Sequence, residues 1–109
     1  MSDTETALTR DISRDQLLTE LKALRSAFER EGVSHVNLFG SRARGDNRHD
    51  SDIDLLIDVD EQRKFSLLDL VGLSHLVQDS IGLPANIFMR RILDEEFQLS
   101  AKREQVVVF

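Results

Sequence analysis

The sequence predicts a small domain of the α/β (α+β) class, built on a mixed β-sheet with helices packed mainly on one side. Three observations favour this class: helical and strand-like apolar patterns alternate along the 109 residues, glycine or proline separates several of them, and no segment repeats. The chain is 40% hydrophobic and 31% charged, an ordinary composition for a fold with a single core. We expect one domain over residues 13–109, preceded by a flexible polar arm over residues 1–12.

The first element is a helix predicted over residues 14–31. Ser13 and Gln16 have the spacing of a capping box, which favours a helix start at this point. Apolar side chains then recur at helical spacing, at Leu17, Leu21, Leu24 and Phe28. Gly32 follows the last of them and is predicted to end the helix.

Two strands with a polar connection come next. Residues 33–39 alternate apolar and polar side chains, and residues 53–59 are rich in branched apolar side chains, so we predict a strand over each range. After Gly40, residues 41–44 can begin a short helix. The polar cluster at residues 40–54 therefore lies on the turn and entry between the two strands.

A second long helix is predicted from Leu67 to about Ile81. Ser66 can cap its first turn, and Gly82 can end it. Its predicted core-facing stripe consists of five apolar residues, Leu67, Leu70, Val71, Val77 and Ile81. Three leucines fall off that stripe, Leu68, Leu73 and Leu76, and indicate either ordinary scattered exposure or a partner-binding face.

The last elements are a strand over residues 85–89, a helix over residues 93–103 and a short strand over residues 106–109. Acidic residues early in the helix and basic residues late in it match the helix dipole. The final strand either completes the sheet or, as an edge, pairs with another chain to make a homo-oligomer.

Composition restricts the classes of function. The chain has no cysteine, which excludes disulfides and thiolate metal sites, and no apolar run approaches the ~20 residues of a membrane span. The N-terminus lacks the basic and apolar segments of a signal peptide, so we expect a soluble cytoplasmic protein. The net charge of -6 argues against general nucleic-acid binding.

Asp52 and Asp54 are the candidate metal ligands. Alternate residues of a strand point to the same face, so their Cα atoms should lie roughly 6–7 Å apart on one side of the sheet. Magnesium ions commonly take one or two protein carboxylates and complete their shell with phosphate oxygens and water. The pair therefore predicts a Mg²⁺ site that a nucleotide would complete.

The turn at residues 40–45 is the candidate phosphate site. Gly40 allows close backbone approach, and the N–H groups of a helix that begins at Ser41 would face an anion. The Ser41 hydroxyl adds a donor. Arg44 is favoured for phosphate contact and Arg42 is the weaker candidate, because residues two apart on a helix do not face the same way.

These residues together resemble the minimal (MNT) branch of the DNA polymerase beta superfamily. Its pattern is Gly-Ser-x-Ala-Arg-Gly, a short loop and Ser-Asp-x-Asp, and here it stands at residues 40–45 and 51–54. The resemblance covers the chain from about Ser13 onward. It implies the nucleotidyltransferase fold, a site for ATP or another NTP, Mg²⁺ held by three carboxylates, and transfer of a nucleoside monophosphate with loss of pyrophosphate.

The resemblance puts the third carboxylate on the strand over residues 85–89, where this chain has Asn86. An amide offers a neutral oxygen and cannot act as a general base. Asp58 cannot substitute, since it lies about 13 Å along the strand from Asp54. Three explanations stay open: Asn86 is a weaker ligand, the strand aligns differently, or activity is reduced or lost.

Two main hypotheses of function follow from the resemblance. In the first, the chain is an Mg²⁺-dependent enzyme with Asp52 and Asp54 as catalytic residues and Asn86 at the third catalytic position. It transfers AMP to a hydroxyl of a helical HEPN-family toxin for which it is the antitoxin. In the alternative, an inactive domain neutralises the HEPN partner by binding alone, which Asn86 favours. A small-molecule transferase of the aminoglycoside-modifying kind is a third, weaker hypothesis.

Overall fold

A computed structural model describes residues 9–109 as a four-stranded mixed sheet with helices on both faces. The elements are α1 (Arg14–Lys22), α2 (Arg25–Arg30), β1 (Val33–Phe39), α3 (Ser41–Arg44), β2 (Ile53–Val59), α4 (Leu67–Ile81), β3 (Ala85–Met89), a 3-10 helix (Arg90–Ile92), α5 (Glu95–Glu104) and β4 (Val106–Val107). The strand order is β3-β2-β1-β4, antiparallel except for the parallel pair β2 and β3. The predicted fold class is confirmed.

The two faces of the sheet are covered unequally. The larger core lies on the face where β2 directs Ile53, Leu55 and Ile57, and α1, α2 and α4 pack there. On the opposite face a small cluster joins Phe39 of β1, Leu56 of β2 and Ala101 of α5. Most helices therefore lie on one side, and α5 covers part of the face that also carries Asp54.

The predicted first helix over residues 14–31 is two helices. Ser13 caps α1 as expected, because its hydroxyl accepts a hydrogen bond from the Gln16 backbone N–H. The helix breaks after Lys22, where the Leu24 N–H bonds to the Leu21 carbonyl in a tighter, three-residue turn. This turn contains neither glycine nor proline, so the sequence carried no local signal for the break.

The long helix α4 has the predicted ends and a different buried side. Ser66 and Asp69 form a reciprocal capping box, and Gly82 ends the helix with φ +82°. The predicted stripe was wrong in part: Leu67 is 74% exposed, whereas Leu73, which was placed off the stripe, is 3% exposed. Packing against the sheet follows the line of Leu70, Leu73, Val77 and Ile81, and the first turn of α4 extends beyond it.

The predicted arm over residues 1–12 lies for its greater part outside the described residues. In the described part, Arg10 donates to the Glu20 carboxylate and to the Ile81 carbonyl, 3.0 Å away. At the other end, the backbone of Val108 continues to bond to Val36 after β4. No helix within residues 9–109 is both long and apolar enough to cross a membrane.

Candidate active site

The polar cluster of the site forms where β2 and β3 run side by side. Asp54 and Asn86 are partners in this parallel ladder, and Asp52 lies two residues before Asp54. The Asn86 side-chain nitrogen donates to Asp52 Oδ2 at 2.8 Å and to Asp54 Oδ1 at 3.1 Å. The structure therefore brings the two predicted aspartates together and puts Asn86 directly beside both, as the predicted strand alignment requires.

These three side chains form a donor set that suits a hard divalent cation. Two carboxylate oxygens that converge on one amide nitrogen also converge on one region where a cation could bind. Burial raises the pKa of Asp54, the neighbouring Asp52 charge adds to that effect, and the hydrogen bond from Asn86 opposes it. A cation would relieve the repulsion between the two carboxylates.

The third position limits that donor set. Within residues 9–109 no three His, Cys, Asp or Glu side chains cluster so that they could hold a metal ion. Asn86 can contribute a neutral oxygen only if its amide turns and gives up both hydrogen bonds to the aspartates. The residues fit Mg²⁺ with two carboxylates, provided that substrate phosphate and water complete the shell.

Gly40 connects the turn to Asp54. Its φ of +78° belongs to a region that side-chain-bearing residues rarely adopt, and a Cβ atom at this position would lie 2.5 Å from Asp54 Oδ2. Asp54 therefore directs Oδ1 toward Asn86 and Oδ2 toward the turn that leads into Ser41. The predicted phosphate site and the predicted metal site share this carboxylate.

Arg42 has a position that the sequence did not predict. Its side chain is 1% exposed, and it donates to the carbonyls of Ser51 at 2.9 Å and of Arg48 and His49 at 3.3 Å. Burial lowers the pKa of Arg42, an effect that the charges of nearby aspartates oppose. Arg42 thus holds the loop that precedes Asp52, and its guanidinium faces loop carbonyls.

Arg44 lies on the exposed side of α3, beside the site. It donates from Nε to Asp46 at 3.0 Å and from Nη1 to Glu104 of α5 at 2.9 Å. Both hydrogen bonds raise the pKa of Arg44, and the one to Glu104 has the larger effect. The charge of Glu104 also raises the pKa of Asp54, so α5 brings a third acidic group into the neighbourhood.

Glu104 was missed by sequence reasoning because 60 residues separate it from Arg44 and no local pattern links the two. Packing fixes α5 on this face: the ring of Phe97 contacts those of Phe39 and Phe88, with centroids 5.8 Å and 6.1 Å apart.

Asp58 lies on the same face of β2 but outside the polar cluster. Its carboxylate accepts a hydrogen bond from Arg90 at 3.0 Å. It is thus part of a separate ion pair with Arg90.

Comparisons with known proteins indicate the family of this chain. The family described as "Nucleotidyltransferase domain" matches residues 15–108. The chain is 31% identical over 96 residues to the protein adenylyltransferase MntA of Thermococcus cleftensis. This match covers 84% of this chain and 95% of the relative. A solved structure described as a minimal nucleotidyltransferase shares 32% identity with a TM-score of 0.75, over 87% of this chain and 95% of that one.

A more distant likeness concerns the fold alone. The solved complex of a tri-AMPylated HEPN toxin with its MNT antitoxin from Shewanella oneidensis contains a chain that is 9% identical to this one, with a TM-score of 0.65. The match covers 85% of this chain and 71% of that chain. At this identity the comparison supports the shared architecture of the sheet and helices.

Proposed function

Because the chain belongs to the nucleotidyltransferase family, we propose that it is a minimal nucleotidyltransferase that moves AMP from Mg-ATP to a protein hydroxyl. The observation that carries this proposal is the convergence of Asp52 and Asp54 on one point, with Asp54 also facing the Gly40 turn. The partner that we propose is a HEPN-family toxin, which makes this chain its antitoxin.

Each group of the site has a proposed part in this transfer. The oxygen of the acceptor hydroxyl bonds to the α-phosphorus and gives up its proton to water, the bond from that phosphorus to the bridging oxygen breaks, and pyrophosphate leaves. Asp52 and Asp54 would hold Mg²⁺, which when bound supplies charge stabilisation to the phosphates. Ser41 and the N–H groups of the turn would orient the phosphate chain, and Arg44 would contact its oxygens.

Support for a protein acceptor comes from the relatives. The relative of Thermococcus cleftensis, at 31% identity, is named a protein adenylyltransferase. The fold likeness to a complex of an AMPylated HEPN toxin with an MNT antitoxin fits the same class of partner. The proposal is therefore tested with Mg²⁺, ATP and a HEPN-family protein as the acceptor.

Asn86 supports a second candidate function, in which the chain neutralises its partner by binding without transfer. A neutral amide stands beside the two aspartates, and it already satisfies one oxygen of each. Two-metal transfer depends on the negative charge of the ligand set, which is lower here by one carboxylate. In this case the fold would serve as a binding surface that retains the site of its enzymatic relatives.

The test is incubation of the purified chain with Mg²⁺, labelled ATP and a HEPN-family protein from the same organism, followed by the intact mass of both proteins. We expect an AMP adduct on the partner that is lost in Asp52→Asn and Asp54→Asn. Asp58→Asn is the matched control, because it makes the same change on the same strand face within a separate ion pair. This control should leave the adduct unchanged.

The same mixture distinguishes the two candidate functions. A stable complex without an adduct supports neutralisation by binding, and Asn86→Asp then tests whether the missing charge alone prevents transfer. A chain that forms neither an adduct nor a complex, and binds neither Mg²⁺ nor ATP, contradicts both.

A further inference from the structure

Strand β3 is an open edge of the sheet. It pairs with β2 on one side and ends the strand order on the other, so in the described part of the chain its outer backbone groups have no strand partner. Its five residues, 85–89, carry no charge and no proline. Charged residues and proline are the usual protection of an edge against further strand pairing. This edge is therefore suited to accept another strand.

A groove of about 220 Å³ follows this edge. It is lined by residues 85–88 of β3 and by Leu70, Val71 and Ser74 of α4. Consecutive side chains of a strand point to opposite faces, so a groove that touches four consecutive residues must run along the edge itself. Asn86 is one of the four, and it contacts Asp52 and Asp54. The groove thus opens directly onto the proposed catalytic cluster.

The side chains that line the groove carry no charge. Its large apolar members are Leu70, Val71, Ile87 and Phe88, and Val71 is 43% exposed. Leu68, which is 82% exposed, lines a separate groove with Ala27 and Arg30 of α2. The chemistry of the groove at the β3 edge is therefore apolar and uncharged, apart from the catalytic end.

We propose that the open edge of β3 and the adjoining groove dock an extended segment of the acceptor protein, which adds a strand to the sheet and brings its hydroxyl to the site at Asn86. This docking site rests on the proposed function, since it assumes that a protein acceptor exists. In strand addition, backbone hydrogen bonds supply affinity and alternate side chains supply specificity. The segment should carry apolar side chains at alternate positions next to its hydroxyl residue.

The continuity of the groove with the site favours the acceptor over a second copy of this chain. An occupant of the groove touches Asn86 and therefore sits against the aspartate pair. A second copy paired there would cover the site that has to admit the acceptor. Pairing between copies through β3 is nevertheless a distinct outcome of the experiment.

The experiment compares Val71→Asp with Val107→Asp in the full chain. Both make the same change at exposed valines, one in the groove and one on β4 at the opposite edge of the sheet. We expect Val71→Asp to weaken the dissociation constant for the HEPN-family partner at least tenfold and Val107→Asp to leave it unchanged. Melting temperature and ATP affinity, measured for both, show whether each variant is folded with an intact nucleotide site.

Hydrogen exchange at the amides of residues 85–89 gives an independent readout. Partner binding should slow exchange at this strand, because strand addition occupies its outer N–H groups. Equal partner affinity of the two variants, or an unprotected β3 in the complex, overturns the docking site even where AMP transfer occurs. Protection of β3 without AMP transfer retains the docking site and contradicts only the enzymatic function. If the chain dimerises without the partner and Val71→Asp abolishes that dimer, the edge serves self-association, which also overturns the proposal.

Discussion

At the scale of single residues, Gly40 is where the turn and the carboxylate pair fit together. We predict that Gly40→Ala lowers the free energy of unfolding by about 1–3 kcal/mol, because a non-glycine residue in this backbone region is strained. The added Cβ atom also collides with Asp54 Oδ2, so the substitution should abolish nucleotide binding. Urea denaturation and ATP titration measure the two effects.

Two other glycines provide matched controls. Gly45→Ala introduces the same kind of strain, since its φ is +86°, but nothing lies within 4 Å of the added Cβ. Gly72 in α4 has no positive φ, and nothing lies within 4 Å of a Cβ atom added there. Gly72→Ala should therefore stabilise the helix by roughly 0.5–1 kcal/mol. Equal destabilisation at Gly40 and Gly45 would argue against the close fit of Gly40 and Asp54.

Asn86 sets the charge of the site. Asn86→Asp adds a third carboxylate beside Asp52 and Asp54, so we predict metal affinity that is higher by on the order of tenfold, because affinity follows the number of charged ligands. Without metal the same variant should be less stable, since three like charges then repel one another. Calorimetric titration with Mn²⁺ checks the affinity. Asn86→Ala is the control. If its Mn²⁺ affinity equals that of Asn86→Asp, residue 86 is not a metal ligand.

Asp54 makes the stability of the metal-free protein depend on pH. Burial raises its pKa above the ordinary value of 3.8, so the protonated carboxyl favours folding. That stabilising contribution is complete below the unfolded pKa and is lost as pH rises through the folded pKa. We predict that Asp54→Asn is more stable than the natural chain at pH 7 and that this advantage disappears below about pH 4.

Thermal unfolding between pH 4 and pH 7 in the presence of a chelator measures this dependence. Asp58→Asn, whose carboxylate pairs with Arg90, should show no gain at pH 7. A loss of stability at pH 7 in Asp54→Asn would show that hydrogen bonds to this carboxylate outweigh its burial.

At the scale of elements, the loop over residues 46–52 depends on Arg42. Arg42→Lys keeps the charge but cannot reach the carbonyls of Arg48, His49 and Ser51 together. We predict a loss of about 2–4 kcal/mol in the free energy of unfolding, because buried polar groups lose their partners. Arg44→Lys is the matched exposed control and should change stability by about 1 kcal/mol or less.

Denaturant unfolding and hydrogen exchange of the loop test this role. Exchange at residues 48–51 should increase in Arg42→Lys and stay unchanged in Arg44→Lys. If both lysine variants behave alike, Arg42 does not support the loop that positions Asp52.

The elements also show what local sequence can predict. The bounds of β1, β2 and β3 agree with the predicted strands, since alternation and branched side chains are local signals. The break after Lys22 and the buried side of α4 were not predictable in the same way. Both follow from packing against the sheet, which the pattern of a single helix does not contain.

At the scale of the whole molecule, the site is assembled from three regions far apart in the chain: residues 40–54, Asn86 and Glu104. The turn at residues 40–45 and the pair Asp52 and Asp54 were predictable because each has a compact pattern with a chemical reason. Asn86 was located through resemblance to a family. The pairing of Arg44 with Glu104 and the burial of Arg42 depend on how α5 and the loop pack, so neither could be predicted before the fold was known.

We propose that Asp52 and Asp54 form one metal site beside the phosphate-binding turn. Crystals grown with Mn²⁺ and a non-hydrolysable ATP analogue test this arrangement through the anomalous signal of the metal. We predict a peak in contact with both aspartates and with analogue phosphates that lie against Ser41. A nucleotide bound elsewhere, or a peak that touches neither aspartate, would show that these residues do not form the site.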